Sequence, residues 1–239
     1  MHHVNILSAA MLLVLSASFA FAAEPAEKQA DQPKTLLAER GKLIVSDDLN
    51  QPLGTGWRVG KGKWEVADGA IKSSELAADA HGAVARYDLK FDDAVIQYSF
   101  KLDGAKTTTL SINTTKAHLC RVLVTPSGLT VRKDDMDKKG PDKAVVLQES
   151  KHPISTGQWH TLVVEIRGQE LLASLDGQPV ALGEHEAIAA MKANFGLTVA
   201  GQSVSFGNLR VWEALPNKNW EATKAELRKP DRKVTKATN

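Results

Sequence analysis

The stretch that most constrains the fold is residues 157–180, Gly-Gln-Trp-His-Thr-Leu-Val-Val-Glu-Ile-Arg-Gly-Gln-Glu-Leu-Leu-Ala-Ser-Leu-Asp-Gly-Gln-Pro-Val. Side chains alternate across a strand, so His160, Leu162, Val164 and Ile166 share one face. Trp159, Thr161, Val163, Glu165 and Arg167 share the other. Arg167-Gly-Gln-Glu170 turns the chain, and Leu171, Ala173 and Leu175 continue the apolar face on the return. Asp176-Gly177 then supplies a tight hairpin turn, because both residues tolerate the positive φ that such turns require. A period of two interrupted by turns predicts antiparallel strands and disfavours helix here.

The same signal recurs at short spacing. Trp64-Glu-Val66 and Ala70-Ile-Lys72 flank Ala67-Asp68-Gly69, a second hairpin. Ala94, Ile96, Tyr98, Phe100 and Leu102 alternate with Gln97, Ser99 and Lys101. Strands are also expected over 109–113, 119–125, 129–133, 145–147 and 195–199. In the last strand Val204 and Phe206 have one parity, Leu209 and Val211 the other, so a β-bulge is predicted at Gly207-Asn208. About a dozen short strands, Gly/Asp turns and scarcely any helix predict an all-β fold: an antiparallel two-sheet jelly-roll sandwich of the concanavalin A-like kind. One helical turn is expected over 187–192, and a short helix over 217–229 that docks Trp220 and Leu227 and stops at Pro230.

The 239 residues suit one globular domain with extensions. Residues 1–22 read as a signal peptide ending in Ala20-Phe21-Ala22, which implies a periplasmic or secreted protein. The leader lacks Lys and Arg before its apolar run, so a retained anchor is the alternative. No later stretch is apolar enough to cross a membrane. Residues 23–42 read as a flexible linker, 43–215 as the sandwich, and 216–239 as a short helix and basic tail. The tail holds seven Lys/Arg against three Asp/Glu, more than the whole net charge of +2, so the basic balance does not mark a nucleic-acid-binding face. Cys120 is the only cysteine, which excludes an internal disulfide. It alternates with Val122 and Val124 and reads as a buried thiol; His118, two residues away on the same strand face, keeps a nucleophile–base pair open.

Four constellations could carry chemistry. The loop Lys133-Asp-Asp-Met-Asp-Lys-Lys-Gly-Pro-Asp142 is rich in carboxylates but lacks the spacing of a defined calcium loop, and its lysines offset the charge. A solvated loop, a calcium site and a substrate rim all remain open for it. Glycoside hydrolysis needs two carboxylates flanking the scissile bond. The Glu-x-Asp-x-Glu strand that supplies them in family 16 glycoside hydrolases is missing, since Glu165-Ile-Arg-Gly-Gln-Glu170 has Gly where Asp is needed. His81, His118, His152, His160 and His185 show no metal-ligand spacing, and nothing in the sequence calls for a cofactor. His160 reads as a hydrogen-bonded histidine at the edge of the core. Arg121 faces away from Cys120, Val122 and Val124, where it could hold a sugar hydroxyl or carboxylate. Of Trp57, Trp64, Trp159, Trp212 and Trp220, at least three are expected in the core; Trp159, sharing a face with Glu165 and Arg167, is the best candidate to stack on a sugar.

Gly56-Trp57, Lys63-Trp64-Glu-Val-Ala-Asp-Gly-Ala-Ile71, Ala94-Val-Ile-Gln-Tyr-Ser-Phe100, Gly157-Gln-Trp-His-Thr161, Leu175-Asp-Gly-Gln-Pro-Val180 and Phe206-Gly-Asn-Leu-Arg-Val211, in this order, resemble the 3-keto-disaccharide hydrolase-like domain family over roughly residues 43–213. That resemblance implies an exported sandwich acting on glycans. Members carry acidic and aromatic residues in the middle strands of the cleft, whereas residues 117–125 here hold no carboxylate. Two functions follow. In a glycan hydrolase, Asp134 or Asp135 would act as acid/base beside His118, with Arg121, Trp159 and Glu165 holding the carbohydrate. In a non-catalytic carbohydrate-binding or surface-interaction module, the same face would bind without cleaving. A second carboxylate across an open cleft would separate the two.

Overall fold

The computed structural model describes residues 32–137 and 139–229. The expected signal peptide and the basic end of the tail lie outside them. Among the described residues, thirteen antiparallel strands make a β-sandwich. The strands are β1 (Ala38–Asp47), β2 (Trp57–Lys61), β3 (Lys63–Ala67), β4 (Ala70–Ser74), β5 (Ala83–Phe91), β6 (Ala94–Asn113), β7 (His118–Thr125), β8 (Gly128–Lys133), β9 (Val145–Lys151), β10 (Trp159–Arg167), β11 (Glu170–Leu175), β12 (Gln178–Glu184) and β13 (Lys192–Pro216).

Two long strands build both layers. The first half of β6 pairs with β10 and with the second half of β13, and its second half pairs with β7 and with the first half of β13. The breaks coincide with Gly104 and Gly201, at φ +83° and +99°, and with register shifts along the β6–β13 ladder. The first sheet therefore runs β12–β11–β10–β6–β13, with β4, β3 and β1 beyond. The second runs β9–β8–β7–β6–β13–β5–β2. The hydrogen-bonded ladder is continuous because the sheets share these strands.

The core lies between the layers, and Tyr98, Phe100, Leu102, Leu110, Ile112, Val122, Phe195, Leu197 and Phe206 are buried in it. The slip predicted at Gly207-Asn208 is present as a register shift, with Asn208 at φ +52°. Val204, Phe206, Leu209 and Val211 all join the same core. Asp68-Gly69 and Asp176-Gly177 both have positive φ at their hairpin tips.

Part of the outer face of the first sheet is covered. Ala38, Val95, Val163 and Trp212 form one buried cluster there, and Leu37, Leu172 and Trp220 another. Helix α1 (Trp220–Leu227) docks through Trp220, whose indole donates to Glu170 Oε2 at 2.7 Å. Order starts earlier than the expected boundary at Leu43. Strand β1 begins at Ala38, because Leu36 and Ala38 donate their backbone N–H groups to the Glu165 carboxylate at 2.8–3.0 Å.

Candidate functional site

The outer face of the second sheet is open and polar. Strand register aligns Arg58, Arg86, Gly196, Ser111, Arg121 and Arg132 in one row across β2, β5, β13, β6, β7 and β8. A groove of about 250 Å³ takes in Arg86, Ser111 and Arg121 of this row and is lined also by His81, Val84, Thr109, His118 and Thr198 among others. A second cleft of about 520 Å³ shares Arg86 and His118 with it and extends to Asn113, Asn194, Lys116, Asp135 and Asp137.

Each side chain has a local cause. Between Asn113 and Ile112 the β6–β7 register slips, so that Leu119 is an extra residue. This bulge moves His118 off the Cys120 parity and into the groove with Arg121. The expected shared face of His118 and Cys120 is therefore corrected. Cys120 is fully buried, and burial pushes its thiol up to about 12, so it is a core residue without thiolate character. His118 Nδ1 lies 2.5 Å from Asn113 Oδ1, and Asn113 Nδ2 donates to Asn194 Oδ1 at 2.7 Å. With a carbonyl oxygen as its partner, Nδ1 is the donor, which fixes the ring orientation.

The arginines are unequally compensated. Arg121 Nε stands 2.9 Å from Asp134 Oδ2, and Arg132 donates to Asp134 Oδ1 at 2.7 and 3.0 Å. Asp134 is 3% exposed and is held between two guanidinium groups. It braces Arg121 and does not present a free carboxyl to the groove, contrary to its expected acid/base role. Arg58 is paired with Asp88 through two 2.6 Å hydrogen bonds. Arg86 lines both cavities, and its guanidinium has no ion pair or hydrogen bond among the described residues.

The remaining expected residues fall elsewhere. Glu165 is fully buried on the outer face of the first sheet, beneath residues 36–38, and burial pushes its carboxyl up from the usual range. It is a structural acceptor and takes no part in an open face. Trp159 is 48% exposed on that same sheet, over Gly207 and with Lys101 Nζ 5.6 Å from the ring centre. Sequence parity groups Trp159 with Glu165 correctly, and for that reason separates both from His118 and Arg121. The other tryptophans pack against the core or its satellite clusters. His160 is bound to Asp176 Oδ2 at 2.7 Å and to Ser155 O at 2.9 Å.

Asp135, Asp137 and Asp142 bring one carboxylate oxygen each within 4.8 Å of one another. The buried Lys133 ammonium is already bound to Asp142, and Asp142 and Asp137 accept the backbone N–H groups of Met136 and Lys139 at 2.8 Å. Asp142 is thus paired with Lys133, and backbone donors satisfy part of the remaining acceptor capacity. Arg86 and Gly196 escaped the sequence reading. Only the cross-strand register, which no local pattern encodes, places Arg86 on the same row as Arg121.

No known family profile matches the sequence, and no curated protein matches it. Solved structures share the fold. A CBM66 carbohydrate-binding module from Bacillus subtilis superposes with a TM-score of 0.54 at 16% identity, covering 66% of this chain and 96% of its own. A GlcNAcα1-4Gal-releasing endo-β-galactosidase from Clostridium perfringens gives 0.58 at 11% identity, covering 81% of this chain and 67% of its own. The family GH16 endo-β-1,3(4)-glucanase SCLam gives 0.53 at 12% identity, covering 76% and 98%. At such identities the likeness establishes the jelly-roll sandwich fold alone.

Proposed function

We propose that this protein is a carbohydrate-binding sandwich that holds a saccharide in the groove on the outer face of the second sheet without cleaving it. One observation carries the reading: the groove floor is hydroxyl, imidazole and guanidinium, from Thr109, Thr198, Ser111, His118, Arg86 and Arg121, and its lining contains no carboxylate. Glycosidic cleavage needs a carboxyl pair about 5–10 Å apart across the bond. Asp134 is consumed by Arg121 and Arg132, and Glu165 is buried on the other sheet. Hydroxyls and planar donors are the groups that orient sugars. The fold shared with a carbohydrate-binding module and two glycanases supports the same reading, as does the sequence resemblance to the 3-keto-disaccharide hydrolase-like family.

The hydrolase reading survives in one form. Asp135 lines the adjoining cleft, which shares Arg86 and His118 with the groove. We also propose export, supported by the leader sequence of residues 1–22; sequencing the N-terminus of the mature protein tests it.

Affinity electrophoresis of the purified protein through gels containing single polysaccharides is the direct test. Retardation by at least one polysaccharide, weakened in Arg121→Ala, together with no reducing sugar released from ordinary or 3-keto disaccharides, is the expected result. Retardation by none overturns the proposal. Sugar release abolished in Asp135→Asn replaces it with the hydrolase reading.

A further inference from the structure

The charge along the groove narrows the ligand. Arg121 and Arg132 share a single carboxylate, that of Asp134, and Arg86 has none. Three guanidinium groups on one row are therefore balanced by one acid, while the fourth, Arg58, is matched by Asp88. His81 and His118 add two more nitrogen bases to the lining. The acids Asp135 and Asp137 line the adjoining cleft together with Lys116 and are not among the groove's own lining residues.

Between Arg86 and Ser111 on the row, residue 196 is glycine, which lets the Arg86 stem and the Ser111 hydroxyl lie close over the backbone. A Cβ there would stand 2.9 Å from Ser111 Oγ and 3.2 Å from Arg86 Cγ, so any larger residue would press on both. The two arginines are separated by three strand spacings, roughly 14 Å between Cα atoms. Both line the same groove, together with Ser111, Thr109 and Thr198. An unpaired guanidinium in a groove is a ready partner for a planar or tetrahedral oxyanion, which it engages through two parallel N–H donors.

We infer that the groove between Arg86 and Arg121 takes an anionic saccharide, with the uronate carboxylate or sulfate group of the sugar bound by Arg86 and the ring hydroxyls by Arg121, Thr109 and Thr198. This rests on the carbohydrate-binding reading above. It differs by naming the charge of the ligand and the residue that selects it. No covalent step is involved.

Arg86 also makes the test clean. Because its guanidinium holds nothing within the described protein, Arg86→Gln leaves folding unchanged, which thermal unfolding verifies. Calorimetric titration of the full chain at about 0.15 M salt would use three oligosaccharides of equal length: an oligogalacturonate, a sulfated oligosaccharide and a neutral β-glucan. Binding to one or both charged ligands is expected to be at least about tenfold tighter than to the neutral one. Arg86→Gln should remove that tenfold preference and Arg86→Lys should restore part of it. The comparison of the two charged arms distinguishes uronate from sulfate. Equal binding of the neutral ligand, or no effect of Arg86→Gln, overturns this inference and leaves the carbohydrate-binding reading standing. Binding of inorganic polyphosphate as tight as that of the charged saccharides overturns it in favour of charge alone. Failure to bind any saccharide overturns both.

Discussion

The two outer faces of the sandwich carry similar alternating polar residues and put them to opposite uses. On the first sheet Glu165 is fully buried and accepts the N–H groups of Leu36 and Ala38, while Arg40 lies over the Trp212 ring at 4.8 Å and donates to Gln97 Oε1. Residues 33–38 and α1 cover the part of that face around Glu165, while Trp159 stays exposed beyond them. On the second sheet Arg58, Arg86, Arg121 and Arg132 stand in a row; Asp88 meets Arg58, Asp134 meets Arg121 and Arg132, and among the described residues no carboxylate meets Arg86. The difference teaches that a charged residue on an outward parity is not evidence of a site. What decides is whether another segment of the chain satisfies it. Where the backbone itself is the partner the residue is structural, and where no partner exists it is available to a ligand.

The contrast can be broken by substitution, beginning with the largest effect. Glu165→Ala should lower stability by about 2–3 kcal/mol, because it strands the buried backbone donor of Ala38 and the partly buried one of Leu36. Urea denaturation measures this, and saccharide binding by the folded fraction should be unchanged. A stable variant with lost binding would reverse the roles assigned to the two faces.

Asp134→Ala comes next, at about 1–2 kcal/mol, since it frees two partly exposed guanidinium groups that can turn to solvent. On the open face this loss should accompany a gain: removing the one acid of the row raises the positive charge facing the groove. Electrophoretic retardation by an anionic polysaccharide should therefore strengthen, where a catalytic acid would instead leave binding intact and abolish turnover.

The pH dependence of stability gives a smaller, directional effect. Burial raises the Glu165 carboxyl above its ordinary value of 4.5, so the folded state binds that proton more tightly than the unfolded chain. Its contribution is fully present below that ordinary value and is lost as pH rises through the raised one. Asp88, held low by its hydrogen bonds to Arg58, and Glu184, held low by Lys224 and Arg228, act in the opposite sense, losing their contribution as pH falls. Both are exposed, and their effect is slight. Urea midpoints from about pH 4 to pH 7 should fall more steeply in the wild type than in Glu165→Gln, whose side chain does not ionise. Parallel profiles would contradict the burial of an ionisable group on the covered face.

Trp159→Ala should have the smallest effect, within about 0.5 kcal/mol on stability, since half of the ring is in solvent. Because Trp159 stands on the first sheet, binding in the groove should be unaltered. Titration of the same oligosaccharide into both proteins checks this, and a large loss would move the site to the first sheet.

Much of the fold was legible locally. Alternation over 94–102 and 159–167 predicted strands that exist, and the parity slip at Gly207-Asn208 predicted a bulge that keeps Val204, Phe206, Leu209 and Val211 in one core. The docking of Trp220 was legible from its place in a short amphipathic stretch before Pro230. The site was legible only in part, because parity is a property of one strand. It correctly turned Arg121 outward but, without the bulge at Leu119, left His118 on the side of Cys120.

The sequence by itself determined the strands, the turns and which side chains share a face, since each follows from backbone geometry over a few residues. The tertiary structure alone decided which face is covered and which residues from distant strands stand side by side. Glu165 meets residues 129 positions earlier, and Arg86 joins Arg121 through Gly196 and Ser111, because register between strands is set by the packing of the whole core.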